Sequence, residues 1–157
     1  MSTEPTVVLV DDEEMVVTAL HSFLQLETPY NILTFTSPRE ALRAMEEQDV
    51  QVVVADYMMP DLDGISFLTR VRETQPQASR ILLTGYADKE NAIRAINEAG
   101  LFHYLEKPWD NDHLKLVVRN GVERAHLIGQ LDEQMSALEG ANAELADIRQ
   151  RLMKAFL

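Results

Sequence analysis

The chain has 157 residues, of which 46% are hydrophobic, enough for one packed domain of ordinary size with some additional length. A formal net charge of −12 disfavours direct nucleic-acid binding by this segment, because phosphate backbones are bound by Lys and Arg. The lack of cysteine excludes disulfides and thiolate metal sites. No run approaches the roughly 20 apolar residues of a membrane helix, and Met1–Pro5 shows no signal-peptide pattern. We therefore expect a soluble cytoplasmic protein without membrane association.

Short apolar runs alternate with longer amphipathic stretches through the first two thirds of the chain. The runs predict five strands, at Thr6–Val10, Asn31–Phe35, Gln51–Ala55, Arg80–Thr84 and Phe102–Glu106. In the first, third and fourth runs the apolar residues are nearly continuous. This pattern is typical of strands that are buried on both faces of a parallel sheet.

Helical patterns with one apolar face fill the intervals between these strands. They predict helices at Met15–Leu26, Pro38–Glu47, Ile65–Thr74 and Lys89–Ala99. Ser37 and Asp88 are the expected N-caps of the second and fourth helices, and Gly100 is the expected end of the fourth. Repeated strand–helix alternation predicts a three-layer α/β domain with right-handed crossovers.

The last third of the chain differs in pattern. From Asp112 to Leu157 there is no proline and no strand pattern, so we predict a helix that closes the domain and continues beyond it, with a joint near Gly129. Its apolar residues follow a heptad, with one seam position occupied by Leu131, Leu138, Leu145 and Leu152 and the other by Ile128, Met135, Asn142, Arg149 and Phe156. Leucine in one position and a single Asn in the other favour a parallel two-stranded coiled coil. The alternative is an amphipathic helix packed on its own or another domain.

Polar residues stand at the predicted carboxyl ends of four strands, where parallel α/β sheets gather function. Asp11 and Asp12 follow the first strand, Asp56 follows the third, Thr84 ends the fourth, and Lys107 follows the fifth. Converging carboxylates repel one another unless a cation offsets their charge, and oxygen ligands with room for water suit Mg²⁺. A carboxylate nucleophile, a divalent cation, a lysine and a hydroxyl are what aspartyl-phosphate formation needs.

Four motifs built from these residues resemble those of the receiver domains of two-component response regulators. They are Val-Asp-Asp-Glu at 10–13, Asp-Tyr-Met-Met-Pro-Asp-Leu-Asp-Gly at 56–64, Leu-Thr-Gly at 83–85 and Tyr-Leu-Glu-Lys-Pro at 104–108. The resemblance spans about residues 6–124 and implies a flavodoxin-like, doubly wound, five-stranded parallel sheet of order 2-1-3-4-5. It assigns a receiver domain to residues 1–124 and leaves a helical extension at 125–157.

The resemblance also implies an acceptor and a set of metal ligands. Asp56 would accept a phosphoryl group from a sensor histidine kinase or a phosphotransfer protein. Mg²⁺ would be bound by Asp12 directly, by Asp11 through water, by Asp56 and by the backbone carbonyl of Met58. Such a protein is a phosphoacceptor switch, which catalyses only its own phosphorylation and dephosphorylation.

The remaining motif residues would couple phosphorylation to a change of shape. By resemblance, Thr84 and Lys107 would bind the phosphoryl oxygens, and Tyr104 would turn inward when Thr84 engages phosphate. The bond between Lys107 and Pro108 is expected to be cis. Trp109, which follows, is interpreted as packing against the last helix in preference to facing a partner.

Three other functions share parts of this pattern. A phosphatase of the haloacid dehalogenase type would carry a second Asp two residues after its nucleophile, where this chain has Met58. A flavin-binding module would need a Ser/Thr/Gly-rich phosphate loop after the first strand, where residues 11–14 are all acidic. A pseudo-receiver would act through contacts alone, and phosphorylation distinguishes it from a receiver.

The sequence leaves the output of the switch open. No helix-turn-helix, nucleotide-cyclase or hydrolase motif follows Arg124. The chain is therefore either part of a longer regulator or a protein that signals through contacts of its helix, and we expect a homodimer formed through that helix. The four histidines show no metal-ligand spacing and are interpreted as scattered surface or core residues: His21, His103, His113 and His126.

Overall fold

The computed structural model describes residues 4–85 and 88–156. Within these ranges five strands alternate with five helices: β1 (Thr6–Val10), α1 (Glu14–Glu27), β2 (Asn31–Phe35), α2 (Pro38–Met45), β3 (Val52–Asp56), α3 (Gly64–Thr74), β4 (Ser79–Thr84), α4 (Lys89–Ala99), β5 (His103–Glu106) and α5 (Asn111–Phe156). Neighbouring strands pair in parallel in the order β2-β1-β3-β4-β5. The predicted fold class and strand order are confirmed.

The element bounds lie within two residues of those expected from the sequence. β3 starts one residue late and includes Asp56, because its pairing with β4 extends to Asp56 opposite Leu83. α2 ends at Met45 instead of Glu47, because the backbone N–H of Glu46 turns to the carbonyl of Arg43 and tightens the last turn.

The helix caps follow the sequence in most cases. The Ser37 hydroxyl accepts a hydrogen bond from the backbone N–H of Glu40, and α4 ends at Gly100 in the left-handed conformation, with φ of 69°. Asp88 is the N-cap residue of α4, as predicted. Asp88 occupies the N-cap position without a side-chain cap bond, and its ψ of 3° departs from the extended backbone that such a cap requires.

The two faces of the sheet bury separate apolar clusters. One face packs against α2, α3 and α4 through side chains that include Val8, Val53 and Leu82. The other packs against α1 and α5 through alternate residues of the same strands, Leu9, Val54 and Leu83 among them. Burial on both faces explains why these strands read as continuous apolar runs.

The chain divides into two compact units, Met1–Ala125 and His126–Leu157. The second unit consists of the later part of α5, which continues as helix through Gly129. Large apolar side chains along it are exposed. None of the helices in the described ranges is both long and apolar enough to span a lipid bilayer.

Candidate functional site

Three aspartates meet where β1 and β3 end. One carboxylate oxygen from each of Asp11, Asp12 and Asp56 lies within 4.8 Å of the others. The strand order explains this placement, because β1 and β3 are parallel neighbours with Val10 opposite Ala55. Asp11 and Asp56 are buried, whereas Asp12 is exposed. The convergence expected from the sequence is therefore present.

A single lysine contacts two of these carboxylates. The Lys107 Nζ lies 3.1 Å from Asp11 Oδ2 and 2.9 Å from Asp56 Oδ1. Its backbone N–H donates to the Thr84 carbonyl at 2.8 Å, which holds the start of the loop after β5 against the end of β4. The bond between Lys107 and Pro108 is cis, as expected.

Burial governs the electrostatics of this cluster. It raises the pKa of Asp56 and of Asp11, and the hydrogen bonds and charge of Lys107 offset that effect only in part. Burial also lowers the pKa of Lys107, but its contacts with Asp56 and Asp11 outweigh burial, so that pKa is raised and the ammonium persists. One ammonium group cannot balance three carboxylates, so the site favours an added cation.

The other residues expected at the site are nearby in the fold without joining this cluster. The Thr84 side chain is fully buried, and its hydroxyl donates to the Leu105 carbonyl at 3.5 Å. Tyr104 is half-buried and packs against the apolar cluster that lies between the sheet and helices α2, α3 and α4. The side chain of Met58 is 63% exposed, so only its backbone is suited to a role at the site. Trp109 packs against the cluster that contains α5 residues, as interpreted from the sequence.

Gly64, the last residue of the motif at 56–64, makes a contact with the site that the sequence analysis missed. The Gly64 N–H donates to the Tyr57 carbonyl at 2.8 Å, which brings the first residue of α3 against the end of β3. A Cβ at this position would lie 2.1 Å from the backbone oxygen of Asp56 and 2.9 Å from a Leu82 methyl carbon. The absence of a side chain here is the sequence signal for that close approach.

The donor set fits a hard divalent cation. Three carboxylates supply oxygen ligands, and the exposure of Asp12 leaves one side of the cluster open to water. Burial raises the pKa of Asp11 and of Asp56, and Lys107 offsets that effect only in part, so a bound cation would stabilise their ionised forms. Cysteine and histidine, which softer metals prefer, are absent from this set.

The family model of the response regulator receiver domain matches residues 7–119. The chain belongs to this family. The match runs from the second residue of β1 through the other four strands to the start of α5. It also covers the acidic cluster, Lys107 and Thr84.

Curated relatives of this receiver are regulators of transcription. The chain is 41% identical, over 128 residues, to the hydrogenase transcriptional regulatory protein HoxA of Cupriavidus necator, which covers 82% of this chain and 26% of the relative. It is 29% identical, over 150 residues, to the C4-dicarboxylate transport transcriptional regulatory protein DctD of Rhizobium meliloti, covering 96% and 32%. The chain thus spans about a quarter to a third of the length of these relatives.

Solved receiver domains share the fold. A response regulator receiver domain protein from Clostridium thermocellum superposes with a TM-score of 0.73 at 32% identity, covering 79% of this chain and 98% of that one. The near-complete coverage of that structure places the similarity in the α/β domain.

Proposed function

We propose that this receiver accepts a phosphoryl group on Asp56 from a histidine kinase or a phosphotransfer protein, in a reaction that depends on Mg²⁺. The observation that carries the proposal is the meeting of three aspartates and one lysine at the carboxyl edge of a receiver sheet. Asp56 is the acceptor in this account because it ends β3 within contact of Lys107.

The metal would be held by four groups of the chain. Asp12 would bind it directly and Asp11 through water, with the Asp56 carboxylate and the Met58 backbone carbonyl as further ligands. The exposure of Asp12 and the contact of Asp11 with Lys107 are consistent with this division. When bound, Mg²⁺ supplies positive charge that neutralises phosphoryl oxygens.

The chemistry of the side chains follows from their contacts. A carboxylate oxygen of Asp56 attacks phosphorus in line, forming the acyl phosphate bond as the bond to the donor's nitrogen breaks. Lys107, whose raised pKa keeps it protonated, contacts Asp56 beforehand and stabilises the charge on the transferred group. The catalysis acts only on the chain's own acceptor, so this is a switch and not an enzyme with separate substrates.

The switch would operate through β4 and β5. The buried Thr84 hydroxyl, now hydrogen-bonded to the Leu105 carbonyl, would turn to a phosphoryl oxygen. The half-buried Tyr104 would then move inward against the face of the sheet that packs on α2, α3 and α4. We describe this as a shift between two populated arrangements, since the phosphoryl group binds one of them better.

The extension from residue 125 onward would carry the output. In the second unit the leucines of the heptad seam are all exposed, with Leu138 at 61% and Leu145 at 64%, so they are available to a partner helix. We propose a parallel two-stranded coiled coil between two copies of the chain, with Asn142 paired across the axis to set register. By analogy with relatives named as transcriptional regulators, the coil would lead to a transcriptional output.

Phosphorylation with a small donor tests the proposal. Incubation of the full chain with acetyl phosphate should add one phosphoryl group, detected by intact-mass spectrometry, when Mg²⁺ is present. With EDTA the added mass should disappear. Without the metal ion, three carboxylates are opposed by one lysine, and their net negative charge would repel the incoming phosphate. Equal labelling with and without the metal would contradict the proposed site.

A further inference from the structure

Two histidines that are ten residues apart in sequence come together on the β5 side of the receiver. His103 lies on β5 and His113 in the first turn of α5, with ring centroids 5.8 Å apart and planes at 73°. Neither ring belongs to the acidic cluster at Asp56. We propose that these imidazoles form a second metal site, which binds a borderline divalent cation such as Zn²⁺, Ni²⁺ or Cu²⁺.

A backbone hydrogen bond orients one of the two rings. The Nδ1 of His103 lies 2.6 Å from the Tyr104 carbonyl oxygen. A carbonyl can only accept, so Nδ1 carries the hydrogen, and in the neutral ring Nε2 is left with its lone pair. Metal-binding histidines commonly donate their other ring N–H to a carbonyl or carboxylate in this way, which fixes the tautomer and the direction of the ligand.

The spacing of the rings suits a shared ion. Imidazoles bound to one tetrahedral Zn²⁺ through nitrogens about 2.0–2.1 Å from the metal have ring centroids roughly 5 Å apart. The observed 5.8 Å is close to this value, and the His113 side chain is exposed on the surface of α5.

The surroundings leave room for an ion and its water. Both rings line a groove of about 520 Å³ that also contains Glu106, Asp110 and Trp109. Asp110 already accepts hydrogen bonds at Oδ1 from the backbone N–H groups of Asp112 and His113, and thereby anchors the turn that carries the second ring. We assign two protein ligands, the imidazoles, and water to the remaining positions. The nearby carboxylates favour a cation electrostatically.

Ligand chemistry separates this site from the proposed magnesium site. Imidazole suits Zn²⁺, Ni²⁺ and Cu²⁺, whereas Mg²⁺ prefers carboxylate, carbonyl and water oxygens. The two sites can therefore be filled independently. An ion at the histidine pair would link β5 to the first turn of α5, beside the backbone of Tyr104.

Fluorescence of Trp109 provides the test, because it is the one tryptophan in the chain and lines the same groove. The full chain, free of any affinity tag, is titrated with Ni²⁺ in buffer with excess Mg²⁺, and quenching is followed. We expect saturable quenching at one equivalent, and an affinity at least about tenfold weaker in His103→Gln and in His113→Gln. His126→Gln, which changes a histidine outside the groove, should bind as the wild type does.

Two further measurements keep the outcome decisive. Circular dichroism melting of each variant without metal should match the wild type, so that lost binding is not lost folding. Isothermal titration with Zn²⁺ should give the same ranking of variants as quenching. Unchanged affinity in both groove variants, or an equal loss in His126→Gln, would overturn the assignment.

Discussion

At the residue scale, burial of the acidic cluster makes its ionised form unfavourable for the stability of the folded protein. The pKa of Asp56 and that of Asp11 are raised above 3.8 chiefly by burial, so folding favours their protonated forms. The protonated carboxyls of Asp11 and Asp56 therefore stabilise the folded state. This contribution is fully present below pH 3.8 and is lost as the pH rises through the raised pKa values of the folded protein. Where both groups are ionised, the folded state bears their mutual repulsion and their desolvation. The residues to which we assign phosphate chemistry are thus unfavourable for stability.

Neutralising the acceptor should therefore stabilise the protein. We expect Asp56→Asn to raise the free energy of unfolding by about 1 kcal/mol at pH 7 in EDTA, because a neutral amide is less costly to bury than a carboxylate. The gain should shrink as pH falls and Asp56 itself takes up a proton. Urea denaturation measures it, with Asp49→Asn at an exposed position as the matched control. A lower stability for Asp56→Asn would show that the Lys107 contact outweighs burial.

Gly64 should tolerate no side chain. Gly64→Ala brings a Cβ to 2.1 Å from the Asp56 backbone oxygen, so the backbone of β3 or α3 must shift. We expect a loss on the order of 3 kcal/mol in urea denaturation. Gly85→Ala, where the nearest atom is 3.7 Å away, is the control and should change stability little. Equal effects of the two substitutions would refute the close approach.

At the element scale, β4 and β5 form the proposed link between phosphorylation and shape. Beryllofluoride, which mimics a phosphoryl group on Asp56, should change Trp109 fluorescence in the wild type when Mg²⁺ is present. Thr84→Ala removes the hydroxyl that now bonds to Leu105 and should suppress that change. A full response in Thr84→Ala would mean that the signal leaves the site by another route.

The later part of α5 carries the proposed dimer contact. Leu138→Lys places a charge in the seam and should convert a dimeric full chain into a monomer, as measured by light scattering. Glu144→Lys makes the same kind of change at an exposed position outside the seam and should leave the dimer intact. A monomeric wild type at high micromolar concentration, or a dimer that survives Leu138→Lys, would contradict the coiled coil.

At the scale of the whole molecule, the topology and the carboxylate cluster follow from the sequence, because both depend on order along the chain. Continuous apolar strands alternating with amphipathic helices require a parallel sheet, and its carboxyl edge must then collect Asp11, Asp12 and Asp56. Ser37 marks the start of α2 and Gly100 marks the end of α4. Both positions could be predicted because the conformational preferences of N-cap and C-cap residues are local to the helix end.

Other features depend on distances across the fold and were missed. The approach of Gly64 to Asp56 is marked in the sequence only by the missing side chain, and the pairing of His103 with His113 joins segments that no local pattern relates. Asp88 was expected to cap α4 because Asp is common at N-cap positions. Its backbone angles, however, keep its side chain from making the cap hydrogen bond. Rotamers and backbone angles of this kind are set by packing, so composition and periodicity do not reveal them.

If this receiver is phosphorylated on Asp56, as we propose, the phosphoryl group should map to that residue. The full chain, Asp56→Asn and the matched control Asp49→Asn are treated with acetyl phosphate and Mg²⁺, and the modified residue is identified by peptide mass spectrometry. The account predicts labelling of wild type and Asp49→Asn at residue 56, and none in Asp56→Asn. Equal labelling of Asp56→Asn, or a phosphoryl group on another residue of the wild type, would contradict it.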